Sequence, residues 1–157
     1  MNEKEFLISY KATSDRYPRP SLTADISVFA RDGKTVKVLL VRRGRHPFKD
    51  YWALPGGFVR PDETVQESAA RELAEETGIR NRVLIPVNIY STPGRDPRGW
   101  TVSMLYTCEI DLSEANVAAG DDAAQAKWFN LATAMDMKLA FDHAEMLREA
   151  AEKAGLP

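Results

Sequence analysis

The stretch from Pro55 to Ile79, PGGFVRPDETVQESAARELAEETGI, constrains this chain more than any other. Thr64 is a natural N-cap, and Glu67 three residues on completes a capping box. Gly78 is the residue type that ends a helix in the left-handed conformation. The spacing therefore predicts a helix over Val65 to Thr77. At about 100° per residue, Ala69, Ala70, Leu73, Ala74 and Thr77 form the stripe expected to face a sheet, and its alanines allow close approach. Glu72, Glu75 and Glu76 fall on another side, within an arc of about 100°. Spaced i, i+3 and i+4, their carboxylates can converge on one point.

That arrangement weakens a bare helix. Like charges at i,i+4 cost about 0.2–0.5 kcal/mol, and acids in a C-terminal turn lose about 0.3–1 kcal/mol each at low salt. Arg71 offsets part of this by pairing with Glu75 at i+4. A solvated face is the common fate of a charged run, but it leaves the remaining cost unexplained. A divalent cation explains it: Mg²⁺ is hard, takes oxygen ligands, and combines a few carboxylates with waters and phosphates. Before the helix, LPGGF sets two glycines where backbone can approach a ligand without side-chain obstruction. Glu63 could reach Arg71 or the loop backbone, or lie free in solvent.

The rest of the chain reads as one domain spanning residues 1–157, a length that suits one sizeable core. Apolar residues make up 44%, charged residues 28%, and the net charge is −2, so no global basic surplus draws in nucleic acid. Cys108 is the single cysteine, which excludes an intrachain disulfide and suits a buried core thiol. The N-terminus has no apolar run suited to a signal peptide, and no segment approaches the roughly 20 apolar residues of a membrane span. A soluble, cytoplasmic protein is expected. LTADISVFAR and TVKVLLVRR read as a strand pair turning at Asp32-Gly33. RVLIPVNIYST, WTVSMLYTCEI and AKWFNL read as further strands, with Pro86 implying a bend, an edge or a break. A last helix is expected from about Asp142 to Ala154, with Asp142 and Glu145 as a capping-box-like start and Gly155 as its stop. Strands with two main helices imply a mixed sheet with helices on its faces.

The pattern Gly57, Glu63, Arg71-Glu72-Leu73, Glu75-Glu76, Gly78-Ile79 resembles the Nudix box, with nine defining positions filled over 23 residues. Nudix enzymes hydrolyse a nucleoside diphosphate linked to another group. The resemblance implies an α/β/α sandwich with a mixed central sheet, the box forming a loop, a helix and a loop on one side. It implies Mg²⁺ or Mn²⁺ held by Glu72, Glu75 and Glu76 with the Gly56 carbonyl. Gly57, Glu63 and Arg71 are then the structural positions of the box. Wider likeness, in PSLTADISVF, RGRHPFKDYWALPGGFV, PGRDPRGW and AFDH, is similar to the ADP-ribose pyrophosphatase branch. That branch implies cleavage of ADP-ribose to AMP and ribose 5-phosphate, and a homodimer in which residues 1–20, an N-terminal extension, reach the partner's site.

Arg95 and Arg98 in the Gly/Pro loop could aim guanidiniums at a diphosphate or ribose, and Asp96 could accept from ribose hydroxyls or hold an arginine. Arg42 and Arg43 end a strand, and alternation lets one of them meet the phosphates, with Arg42 favoured. Phe48 and Trp52 could stack on adenine or pack in the core. His46 and His143 read as surface or capping residues. The carboxylate that takes a proton from water is Glu72 or, from the AAGDDAAQ loop as the branch implies, Asp121 or Asp122. A different Nudix substrate, an oxidised nucleotide among them, is the nearest alternative. A ligand-sensing domain of a transcriptional regulator is the other. Such regulators carry an added winged helix and often an eroded box, so an intact box and a chain reaching only Pro157 favour the enzyme and no nucleic-acid partner.

Overall fold

The structure, a computed structural model, describes residues 1–114 and 125–157. Its centre is β1 (Ser21–Asp32), which pairs in parallel with β6 (Thr101–Asp111) from Ser21↔Thr101 to Arg31↔Asp111. On its other edge β1 divides its partners. Its second half, Phe29 to Asp32, pairs with β2 (Thr35–Arg42), and its first half, Thr23 to Asp25, pairs with β4 (Gly56–Phe58). The sheet splays between β2 and β4. β3 (Trp52–Ala53) and β7 (Ala126–Asn130) both pair with β2, and β5 (Ile85–Tyr90) forms an edge on β6. The result is one mixed, seven-stranded sheet.

β1 is buried continuously from Thr23 to Ala30, as expected of a strand covered on both faces. Ala24, Ile26, Val28 and Ala30 point to one core, shared with Ala69 and Leu73 of α2 (Val65–Thr77). Phe29 points to the other, with Met146, Leu147 and Ala150 of α4 (His143–Lys153) and Leu131 and Ala134 of α3 (Leu131–Asp136). This is the expected α/β/α sandwich. Cys108 is buried in the first core, and burial pushes its thiol up to about 11.

α2 has the expected bounds. Thr64 and Glu67 form the capping box, and Gly78 is the left-handed cap with φ 78°. The sheet-facing stripe differs at one place: Ala70 is exposed and Ser68 is buried. Ser68 tolerates burial because its hydroxyl donates to Glu63 at 3.1 Å and accepts from the Arg60 N–H at 3.3 Å. Pro86 sits on the edge strand, beside a register shift between Pro86 and Asn88. Two helices were not expected. α3 is short, and α1 (Glu3–Thr13) opens on an Asn2/Glu5 capping box and buries no residue. At α4 the expected cap is corrected: Asp142 makes no side-chain cap bond, because Arg95 holds its carboxylate at 2.7 and 2.8 Å. Among the described residues no helix is long and apolar enough to cross a membrane.

Replacing Gly78 by Ala forces a Cβ into the left-handed region and is expected to lower unfolding free energy by about 1–2 kcal/mol. Urea titration checks this; an unchanged midpoint with an unchanged slope would count against the cap assignment.

Candidate active site

The box helix meets its loop through one guanidinium. Arg71 Nε donates to both oxygens of Glu63 at 2.9 Å, and Nη2 donates to the Phe58 carbonyl at 3.2 Å. Nη1 donates to Glu72 at 2.7 Å and to Glu75 at 3.4 Å. Burial disfavours this charge, but the hydrogen bonds to Glu72 and Glu63 outweigh it and raise the pKa above the ordinary arginine value. Two glycines let this loop close in, Gly56 on β1 and Gly57 on the helix. A Cβ on Gly56 would lie 2.3 Å from the Ala24 carbonyl oxygen of β1. A Cβ on Gly57 would lie 2.5 Å from the carboxyl group of Glu72, so the space it leaves is a cradle for that carboxylate.

Glu76 turns inward and accepts from the Gly56 N–H at 3.2 Å. Burial pushes its pKa up to about 8; the Gly56 hydrogen bond opposes this, while the nearby charges of Glu72 and Asp25 add to it. Glu75 is about half exposed. Among the described residues no three acidic, histidine or cysteine side chains stand gathered as a metal-binding group. Arg71 draws Glu72 and Glu75 to itself, while Glu76 bonds to Gly56. The donor types still suit a hard cation: Glu75 and Glu76 line the cavity with Gly56, and Glu72 is seated beside them where Gly57 lacks a side chain.

The splay between β2 and β4 opens a cavity of about 480 Å³. Glu75, Glu76, Gly56 and Gly57 form one wall, and Arg42, Arg43, Arg95, Asp96 and Arg98 also line it. The arginines differ in what they already hold. Arg95 is nearly buried and bonded to Asp142 and to the Ser103 hydroxyl, the latter at 2.6 Å. Arg98 is held by Asp96 at 2.8 Å and lies over the rings of Phe58 and Phe141, at 4.9 and 5.3 Å. That bond, with burial acting against it, keeps the Asp96 carboxyl below its ordinary range. Arg42 is half exposed and 3.2 Å from Asp50. Arg43 is the more enclosed of the pair; its Nε donates to the Pro47 carbonyl at 2.8 Å and its guanidinium sits 4.8 Å from the Phe141 ring.

Trp52 and Phe48 do not line the cavity. Trp52 packs edge-on against Phe129 at 4.9 Å, and Phe48 packs against Tyr51 and Phe141. Of the two roles open to these rings, packing is the one the structure displays, with Trp52 against Phe129 and Phe48 against Tyr51 and Phe141. Phe141 and Phe58 are the rings at the cavity. His46 is exposed as expected. His143 is not a surface residue: it is buried, lines the cavity, and accepts the Leu54 N–H on Nδ1 at 3.0 Å. Burial lowers its pKa to about 4, so its 3.9 Å approach to Asp25 is not an ion pair. Asp25 was missed. It is buried on β1, and burial raises its pKa to about 7, with Arg95 opposing. Its signal was an acid inside the apolar strand LTADISVFAR. Asp121 and Asp122 lie outside the described residues.

The NUDIX domain profile matches residues 20–150. The chain belongs to the Nudix family. An ADP-ribose pyrophosphatase of Methanocaldococcus jannaschii is 40% identical over 133 residues, covering 85% of this chain and 74% of that protein. An ADPR responsive transcriptional repressor, NtrR of Acinetobacter baylyi, is 37% identical over 151 residues, covering 95% of this chain; the chain spans 59% of the repressor's length. The Nudix domain of Shewanella oneidensis NrtR, solved with ADP ribose, matches with TM-score 0.84 at 33% identity, over 98% of this chain and 99% of that one.

The folded Nudix domain keeps the Glu76 proton to about 8, against 4.5 ordinarily, so between those values the folded state binds more protons than the unfolded chain. Without metal, stability is therefore expected to fall as pH rises from about 5 to about 8, with Asp25 acting in the same direction. Mg²⁺, which favours the ionised carboxylate, should raise the melting temperature more at about pH 8 than at about pH 6. Equal increments at both values would contradict this account.

Proposed function

We propose that this Nudix domain hydrolyses the diphosphate bond of ADP-ribose, giving AMP and ribose 5-phosphate. One observation carries the reading: across a single cavity the glutamate wall of α2 faces two arginines, Arg43 and Arg98, gathered on the Phe141 ring. Burial lowers the Arg43 pKa and the charge of Arg98 lowers it further, so an anion between them relieves both. The relatives whose names include ADP-ribose support the choice of anion.

Glu72, Glu75, Glu76 and the Gly56 carbonyl would hold Mg²⁺ or Mn²⁺, which supplies neutralisation of the diphosphate and a lowered pKa for bound water. Arg43 and Arg98 bind and orient the diphosphate; Arg42 stands at the rim, so Arg43 takes the role expected of it. Arg95 and Asp96 hold the loop in place, Arg95 through Asp142 and Asp96 through Arg98. Glu72, fixed by Arg71, accepts the proton of the attacking water, with Asp121 and Asp122 as alternative acceptors. The water oxygen bonds to one phosphorus as the bridging oxygen leaves with the other phosphate.

A sensing role is the second reading, favoured by the 37% identity to the ADPR responsive repressor. Release of AMP should be measured with Mg²⁺ or Mn²⁺ from ADP-ribose, nucleoside triphosphates, an oxidised nucleotide, NADH and diadenosine polyphosphates. ADP-ribose is expected to give the highest kcat/KM, and Glu76→Gln to lower kcat by about 10²-fold or more. No preference for ADP-ribose sinks the substrate assignment, and full activity of Glu76→Gln sinks the metal wall. ADP-ribose binding without turnover, with a salt-sensitive shift of duplex DNA, would establish the sensor instead. The expected homodimer, for which α1 exposes Phe6, Leu7, Ile8 and Tyr10, is checked by sedimentation.

A further inference from the structure

The segment Trp52 to Gly56 carries the Gly56 carbonyl, and three elements hold it. From β1, the Ile26 N–H donates to the Pro55 carbonyl at 2.9 Å. At α2, Glu76 accepts the Gly56 N–H. From the α3–α4 connection and the first residue of α4 come two bonds: Ala140 N–H to the Trp52 carbonyl at 2.9 Å, and His143 Nδ1 accepting the Leu54 N–H at 3.0 Å. Leu54 lies between β3 and β4, outside both ladders, and its amide is buried. Pro55, which follows, has no N–H to offer a substitute bond. The imidazole is the single described partner of a donor that would otherwise be orphaned beside the metal wall.

His143 is suited to this by its state. Kept neutral by burial, it has a free lone pair on Nδ1 and carries its proton on Nε2, which faces Asp25. Its neighbour Asp142 holds Arg95 of the Pro93–Gly99 loop. The first two residues of this helix end therefore tie down the cavity's two working parts, one residue each.

We propose that His143 is a positioning residue for the metal wall: by accepting the Leu54 amide it fixes where the Gly56 carbonyl points. The inference rests on the reading of that carbonyl as a metal ligand. Its test is Mn²⁺ binding without substrate, read from the electron paramagnetic resonance of free Mn²⁺, with folding checked by circular dichroism. In His143→Asn the amide oxygen can occupy the Nδ1 position, and affinity is expected within about 3-fold of wild type. His143→Gln, with its oxygen one bond too far, and His143→Leu, with none, are expected to bind about 10- to 100-fold more weakly. Hydrogen exchange at the Leu54 amide should stay slow in the Asn variant and quicken in the Gln variant. Where the Leu variant does not fold, the Asn/Gln pair decides. Equal affinity of wild type, Asn and Gln variants overturns the positioning role while leaving the metal site standing. Wild-type protein that binds no Mn²⁺ overturns the metal site and the positioning role together.

Discussion

The geometry of this site depends on Arg71. Its guanidinium binds the acid before the helix, the loop carbonyl of Phe58, and two of the three glutamates on the helix itself. Five N–H donors in a rigid fork can satisfy such a set; a lysine ammonium cannot reach it. Take the charge away and Glu63, Glu72 and Glu75 would repel one another, with Glu75 also in the last turn, where the helix end carries negative partial charge. Arg71 thus makes an acidic cluster compatible with a folded helix while leaving Glu75 and Glu76 on the cavity wall.

The sheet supplies the opposite half. Because β1 gives one edge to two different partners, β2 and β4, the sheet opens at their junction instead of continuing. Into that opening come arginines from the end of β2 and from the loop before β6. They are kept in place by groups distant in sequence: Asp142 for Arg95, the Phe141 ring for Arg43 and Arg98. Both anchors stand at the start of α4. The helix that closes one face of the sandwich therefore also orders the arginine side of the cavity.

Much of this was legible in the residues. The α2 bounds and its caps follow from local spacing, and local spacing survives folding; the link between Glu63 and Arg71 was implied by the resemblance to the Nudix box. β1 was legible as a strand, though not its burial on both faces, and Pro86 did mark an edge. The places where reading by position failed share one cause. Asp142 has the spacing of a cap, but a bidentate partner 47 residues away outcompetes a backbone amide for its carboxylate. Ala70 has the spacing of a core residue, but the stripe turns toward Ser68 once Glu63 satisfies its hydroxyl. Trp52 and Phe48, open by chemistry to stacking or packing, pack against nearby rings outside the cavity lining.

By itself the sequence determined the acid helix, the glycines before it and the family they belong to, because those features interact within about two dozen residues of each other. Only the tertiary structure decided that Arg43 is more enclosed than Arg42, that Asp25 lines the cavity, and that His143 is a buried acceptor rather than a surface side chain. The reason is desolvation. Whether a titratable group is charged, paired or free depends on which distant segments exclude water from it, and no spacing along the chain records that.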